Sequence, residues 1–147
     1  MKFSTRGRYG LRIVIELADR SAGGKPVLLE TLAKSQDLPR QYLHHLLGRL
    51  RSAGLVRAVR GRGGGYGLAK PPSKMTAGDV LRALEGPLAP VDCLLDERVC
   101  RRAPACAARG LWQELAREMD RVLSAATIEK LAAAQRAARE SLVAYEI

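Results

Sequence analysis

The chain has 147 residues, of which 47% are hydrophobic and 4% aromatic, and its formal net charge is +10. This length suffices for about one domain with an aliphatic core. Because no apolar run reaches the roughly 18 residues that cross a bilayer, and the N-terminus lacks the apolar segment of a signal peptide, we expect a cytoplasmic protein without a membrane partner.

The positive charge is confined to the first half of the chain. Residues 1–75 hold fifteen lysines and arginines against four acidic residues, whereas residues 76–147 hold ten against eleven. Charge of one sign gathered on part of a chain is typical of a protein that binds a polyanion. A membrane surface is the weaker alternative, because no basic helix has a bulky apolar face left free of the core. The charge therefore predicts double-stranded DNA as the partner.

Two helices are predicted before residue 38. Ser4 and Thr5 are capping residues in front of an apolar helical pattern that extends to Arg20. After a turn at residues 23–26, residues 27–37 carry apolar side chains on one helical face. We interpret residues 27–37 as the first helix of a helix-turn-helix.

The second helix of that motif is predicted at residues 39–53. Pro39 suits a first helical turn, because its missing N–H would have no partner there. Four leucines recur at i, i+3, i+4 and i+7 and form one apolar face. In this motif the N-terminal part of the second helix enters the major groove, while basic side chains nearby contact phosphates. The base readers predicted on the outward face are Gln41, His44 and His45. The predicted phosphate contacts are Arg49 and Arg51.

A β-hairpin is predicted directly after this helix. Gly54 ends the helix, residues 55–60 alternate like a half-buried strand, and a glycine-rich turn leads to a return strand at residues 66–69. This order is that of a winged helix, with Arg60 and Arg62 on the wing. An arginine there suits a narrow, A·T-rich minor groove, where the potential is most negative. The glycines do not fit a nucleotide-binding loop, because no Gly-Lys-Ser/Thr follows and they lie between two strands.

The second half of the chain predicts further helices around an irregular segment. Residues 76–79 resemble a helix cap, and Gly86 and Pro87 end that helix. A long amphipathic helix at residues 111–126 is a natural dimer seam, and a palindromic DNA site calls for two copies. We therefore predict a mainly α fold with a small β-wing. It has a winged helix-turn-helix domain at residues 1–86, a cysteine loop at residues 87–109 and dimerisation helices at residues 110–147.

The cysteine loop contains Cys93, Cys100 and Cys106, the three cysteines of the chain. Their gaps of six and five residues do not match the C-x-x-C of zinc sites, and their odd number leaves one thiol outside any disulfide framework. Three thiols within fourteen residues can nevertheless converge on one inorganic centre, and the arginines between them would offset thiolate charge. Because zinc and iron–sulfur centres usually take four ligands, one ligand is unaccounted for.

Three segments resemble iron–sulfur regulators of the IscR and NsrR type: FSTRGRYGLR, YLHHLLGRLRSAGLVRAVRGRGGGYGLAKPP and CLLDERVCRRAPACAARGLW. The resemblance runs across nearly the whole chain. It implies a homodimeric winged-helix transcription factor whose 2Fe–2S or 4Fe–4S cluster reports on iron–sulfur supply, nitric oxide or redox state. It also implies that Cys93, Cys100 and Cys106 are cluster ligands and that Arg60 enters the minor groove.

The chain departs from the family pattern at the positions that decide specificity and ligation. Members commonly have Glu-Gln where this chain has His44 and His45, so we expect a different operator. Some members take a fourth ligand from an acid at the position of Arg8. Others use a histidine at the position of Arg109. Neither arginine is a credible iron ligand. The fourth ligand therefore stays open among Asp92, Asp96, Glu97, a group of the partner chain, water and a small thiol.

Three functions remain open on this reasoning. The first is a DNA-binding regulator with a cluster, and the second is the same regulator without a cluster, using its cysteines as thiol sensors. The third, an iron–sulfur electron-transfer protein, gives no use for a basic wing. We expect no enzyme, because the two histidines lie on the predicted DNA face and no acid–base pair is recognisable.

Overall fold

The computed structural model describes residues 2–21 and 23–146. Within these residues, six α-helices accompany one antiparallel pair of strands. In chain order they are α1 (Thr5–Arg20), α2 (Leu29–Gln36), α3 (Arg40–Ser52), β1 (Val56–Val59), β2 (Gly65–Leu68), α4 (Ala77–Glu85), α5 (Ala107–Ala125) and α6 (Ile128–Tyr145). The predicted fold class, mainly α with a small β-wing, is confirmed.

Helix α1 lies at the centre of the core and is fastened to α4 at its start. The Ser4 hydroxyl caps α1 by accepting from the Gly7 N–H at 3.2 Å. Ser4 also donates its own N–H and hydroxyl to the Glu85 carboxylate, at 2.9 and 2.5 Å. A Cβ on Gly10 would collide with the Leu84 side chain, so this glycine allows the two helices to approach closely. The N-terminus of α1 and the end of α4 therefore form one rigid unit.

The helix-turn-helix is formed by α2 and α3, with small shifts from the predicted bounds. Leu28 is extended and precedes α2, which begins two residues later than predicted, and Asp37 ends it in the left-handed conformation at φ 51°. Pro39 is the N-cap of α3 rather than a residue of its first turn. The four leucines of α3 are wholly buried, which confirms the predicted core face.

The wing is anchored at its root to the segment before α2. Strands β1 and β2 pair with Val56 opposite Leu68 and Val59 opposite Gly65. Tyr66 exchanges two backbone hydrogen bonds with Val27, at 2.7 and 2.8 Å. Gly65 has φ 148°, and a Cβ there would collide with the Val27 carbonyl. Glycine is therefore required where the return strand passes the core.

The second half of the chain returns to the same core. Thr76 and Asp79 form the predicted capping box of α4. Short 3-10 turns then occupy much of the cysteine loop before α5. Ile128 begins α6, is wholly buried, and donates its N–H to the Met75 carbonyl at 2.8 Å. Helix α6 thus packs on α1, beside the elements that precede it in the chain, while the proposed domain boundaries stay a prediction.

Ion pairs hold α6 along α1. The Glu16 carboxylate is wholly buried and accepts from Arg20 at 2.5 Å and from Arg139 at 2.8 Å. Arg139 and Arg136 also pair with Asp19, at 2.7 and 3.1 Å. Burial raises the pKa of Glu16, but the hydrogen bonds and charges of Arg20 and Arg139 outweigh it, so the pKa lies below its usual value.

Candidate nucleic-acid interface

The predicted base-reading side chains lie on the exposed face of α3. Gln41, His44 and His45 are all exposed, opposite the buried leucines. His44, His45 and Arg49 line one shallow depression beside the end of α3, whereas Gln41 lies outside it, closer to the N-terminus of the helix. Arg51 is exposed near the C-terminal end of the helix. The structure therefore brings part of the predicted set together and places the remainder on the same helix.

The arginines of this surface have no acidic partner in the described part of the chain. Arg49, Arg51, Arg60 and Arg62 are exposed, and none forms an ion pair with a described carboxylate. By contrast, Arg40 pairs with Glu30 at 2.7 Å. Guanidinium groups without a carboxylate partner are available to phosphates or to a minor groove.

One residue of this surface escaped the sequence reasoning. The sequence predicts Tyr66 only as part of the return strand, yet its hydroxyl lies 3.3 Å from Nδ1 of His44. The two rings meet edge-on, with centroids 6.4 Å apart. The wing therefore contacts the reading helix through a predicted base-reading side chain. The available signal was an aromatic residue immediately after the glycines of the wing.

The three thiols of the cysteine loop are free and do not form a metal site in the described residues. Cys93 and Cys100 are half-buried, Cys106 is exposed, and all three are free. In residues 2–21 and 23–146 no group of three His, Cys, Asp or Glu side chains is placed to hold one metal ion. Three thiols in one loop suit an iron–sulfur cluster in their chemistry. Their arrangement does not fit a preformed site, so the expected convergence of these cysteines is not seen.

Arginine–carboxylate pairs hold this loop in shape. Arg109 donates to Glu97 at 2.5 Å, and Arg98 pairs with Asp96 at 3.0 Å. The hydrogen bonds from Arg98 hold the pKa of Asp96 below its usual value. Arg109, which stands where some family members have a histidine ligand, therefore links the start of α5 to the middle of the loop. Its role in this structure is to brace the loop.

Comparison with known proteins decides the family. The model of the Rrf2 family, described as "Iron-dependent Transcriptional regulator", matches residues 3–134. The chain belongs to the Rrf2 family. This Rrf2 chain is 41% identical over 145 residues to the HTH-type transcriptional regulator CymR of Bacillus subtilis strain 168. The matched region covers 99% of each protein.

Solved structures of Rrf2 relatives have the same fold. CymR (YrzC), titled the global cysteine regulator of B. subtilis, matches with a TM-score of 0.75 and 43% identity over 90% of this chain and 97% of that one. T. potens IscR matches with a TM-score of 0.72 and 34% identity, over 89% of this chain and 85% of that one. The resemblance inferred from sequence and the winged-helix fold are thereby confirmed.

The family fixes the general activity of this chain. It is a helix-turn-helix transcriptional regulator that acts on DNA, and its relatives are named as regulators rather than enzymes. None of the helices described in residues 2–21 and 23–146 is sufficiently long and apolar to cross a membrane. Family membership alone does not define the base contacts, the dimer or the cofactor, which depend on individual residues.

Proposed function

We propose that this Rrf2 chain is a homodimeric, sequence-specific DNA-binding regulator whose signal enters at the cysteine loop, residues 87–109. The observation that carries the DNA part is the exposed face of α3 beside a wing, with four arginines that lack a carboxylate partner in the described chain. Because the ligand of this regulator is duplex DNA, we propose that the protein acts in the cytoplasm.

The roles of the individual side chains follow from their chemistry. Gln41 can bind adenine through two hydrogen bonds, a pair that discriminates by about 1–3 kcal/mol. His44 and His45 present ring nitrogens to base edges from the same helix. Arg60 and Arg62 extend from the wing toward the minor groove. The proposed phosphate contacts near the end of α3 are Arg49 and Arg51.

The proposed dimer surface is an apolar stripe on α5. Leu111, Leu115 and Val122 recur at i, i+4 and i+11 and are 60%, 39% and 55% exposed. No residue of this helix is buried in the single described chain. An uncovered stripe of this kind is typical of an interface, and a second copy would supply the same stripe by symmetry. It would also place two α3 helices to read the two halves of a palindrome.

The first candidate for the signal is an iron–sulfur cluster bound by Cys93, Cys100 and Cys106. The iron-dependent description of the Rrf2 family and the resemblance to the IscR and NsrR type support it. When bound, such a cluster supplies electron transfer and reactivity toward oxygen species and nitric oxide. Because the described thiols do not form a preformed site, the loop must rearrange to bind it, and we derive no step through the cluster.

A second candidate keeps the regulator and uses the thiols themselves. The observation in its favour is that the cysteines are free, partly exposed and not gathered as ligands. Two of them would form a disulfide by exchange with a small oxidised disulfide, which accepts two electrons and two protons as it is reduced. A solved structure of a relative, CymR (YrzC) of B. subtilis, is titled as that of a global cysteine regulator.

One experiment separates these candidates. Protein is isolated anaerobically, and its visible spectrum, iron and sulfide are measured beside those of Cys100→Ala. Bound duplexes are then selected from a random pool before and after oxidation. A coloured protein whose absorption is lost in Cys100→Ala supports the cluster. A colourless protein that changes affinity on forming a disulfide supports the thiol sensor. A colourless protein whose affinity never changes would overturn the sensing role of the loop.

A further inference from the structure

The contact between the wing and the reading helix is made by two ring systems. The Tyr66 hydroxyl oxygen and His44 Nδ1 are 3.3 Å apart, within hydrogen-bonding reach. Their rings meet at 78°, edge to face, with centroids 6.4 Å apart. No other side-chain hydrogen bond of either residue is found in the described part of the chain. This pair is therefore the direct polar link between β2 and the α3 side chain aimed at DNA.

Tyr66 is the fixed member of the pair. Its backbone N–H donates to the Val27 carbonyl at 2.8 Å, and its carbonyl accepts from the Val27 N–H at 2.7 Å. It also pairs with Ala58 in the hairpin, and its side chain packs against the hydrophobic core. His44, by contrast, is exposed on its helix. The tyrosine therefore orients the imidazole, and not the reverse.

We propose that Tyr66 is a positioning residue that fixes the tautomer of His44 and so selects the kind of base group that His44 reads. This inference rests on the proposed role of His44 at a base edge. A phenol O–H is a stronger donor than a neutral imidazole N–H, so the hydroxyl donates to Nδ1. A neutral imidazole carries one N–H, and that proton is then on Nε2. Nε2 lies on the far side of the ring from Tyr66 and acts as a donor.

A donor at this position has a defined preference among base edges. In the major groove, guanine offers N7 and O6 as acceptors, adenine offers N7, and thymine offers O4, whereas cytosine offers only its N4 amino donor. The tautomer held by Tyr66 therefore favours an acceptor and rejects the cytosine amino group. The opposite tautomer would reverse this choice without any change of residue.

The tautomer is measured in the full-length protein without DNA. Nitrogen-15 spectra of the two histidine side chains should show His44 with an unprotonated Nδ1 and a protonated Nε2. Tyr66→Phe removes only the hydroxyl and should convert His44 to a tautomer mixture, while the spectrum of His45 stays unchanged. Tyr145→Phe removes the same atom from a tyrosine that is 94% exposed at the end of α6, and serves as the control. A protonated Nδ1 in the native chain, or no change in Tyr66→Phe, overturns the proposal.

The consequence for DNA is measured separately. Duplexes selected by the native chain are remade with 7-deazapurines or with single base-pair swaps. At one position per half-site, removal of the acceptor should weaken native binding roughly three- to tenfold, as expected for one hydrogen bond. The same change should have little effect on the binding of Tyr66→Phe or His44→Ala, because neither variant presents a fixed donor to that acceptor.

The two measurements fail in distinguishable ways. If His44→Ala selects the same sites as the native chain, the proposed base-reading role of His44 is wrong and the inference falls with it. If His44 is needed but Tyr66→Phe keeps the same acceptor preference, the DNA-reading proposal stands and the tautomer proposal is overturned. Circular dichroism of Tyr66→Phe and His44→Ala should match that of the native chain. Phenylalanine keeps the ring that packs against the core, and His44 is exposed.

Discussion

At the scale of single residues, the arginines of the first half differ in what already occupies them. Arg40 pairs with Glu30, and Arg57 donates to the carbonyls of Leu68 and Gly24 at 3.2 and 3.4 Å. Arg60 has no carboxylate partner in the described chain and follows β1 directly. A guanidinium that already binds a protein group gains less from binding DNA. The presence or absence of a protein partner therefore separates structural arginines from those expected to contact DNA.

Arg60→Ala should therefore weaken duplex binding most where the sites have A·T-rich flanks. The expected loss there is about 1–2 kcal/mol, because a narrow minor groove concentrates negative potential around the guanidinium. Binding is measured at one salt concentration on duplexes that differ only in their flanks. Arg98→Ala, which removes another exposed arginine that lies in the cysteine loop and outside α3 and the wing, is the control. Equal loss on all flanks would identify a simple phosphate contact instead.

At the scale of elements, local patterns predicted the fold well and long-range pairings escaped. The leucine face of α3 and the capping box of α4 are set by neighbours a few residues apart, so spacing reveals them. The Glu16–Arg139 pair joins residues 123 positions apart, and the His44–Tyr66 contact spans 22. No pattern in the sequence marks such partners in advance. Both the spacing of the three cysteines and the family resemblance predict that these thiols converge, and the described loop does not show it.

Glu16→Gln should loosen α6 from α1 and do so in a pH-dependent way. The lowered pKa of Glu16 means that folding favours its ionised form. Its stabilisation is therefore complete above the ordinary glutamate pKa of about 4.5 and is lost as pH falls through the lower pKa of the folded state. We expect a loss of about 2 kcal/mol near neutral pH that shrinks in acid.

Urea unfolding at a fixed protomer concentration, followed by circular dichroism from pH 3 to pH 7, measures this difference. The control is Glu140→Gln, which changes an exposed carboxylate on α6. A deficit that is constant across this range would show that the charge of Glu16 contributes nothing and that only its packing matters.

Gly65→Ala should detach the wing from the body of the molecule. A methyl group there meets the Val27 carbonyl, so either β2 shifts or its backbone bonds to Val27 break. We expect at least tenfold weaker DNA binding with little change in helix content. Gly110→Ala, on α5 with open space around its Cβ, should instead stabilise the fold by about 0.5–1 kcal/mol. Native affinity in Gly65→Ala would contradict the role of this close approach.

At the scale of the whole molecule, one chain leaves a long helix uncovered. The stripe on α5 is continued by Phe3, which is 38% exposed and lines a cavity of about 330 Å³ with Val122 and Leu123. Apolar surface of this extent is costly to leave in water, and its burial between two copies would stabilise both. The charged α3 face and the apolar α5 face thus assign separate tasks to the two halves of the chain.

Leu115→Glu should convert the dimer to a monomer without unfolding it. A carboxylate in the stripe faces its own copy across a two-fold axis, which adds charge repulsion to the lost apolar contact. Sedimentation equilibrium should give the mass of one chain, and affinity for a palindromic duplex should fall to that of a half-site. Leu142→Glu, at a 68% exposed position on α6, is the matched control. A persistent dimer in both Leu115→Glu and Val122→Glu would place the interface elsewhere.

The return of α6 to the core has a topological consequence. Residues 87–125 connect Glu85, which is hydrogen-bonded to Ser4, with Ile128, which is hydrogen-bonded to Met75. Asp120 within them also pairs with Arg82 of α4 at 2.8 Å. This segment is therefore anchored to the core at both of its ends. Cleavage of the backbone inside residues 87–109 should leave two fragments that stay associated, the smaller one held by its terminal helix. A nicked regulator of this kind would keep its reading surface, because α2, α3 and the two strands all lie outside residues 87–109.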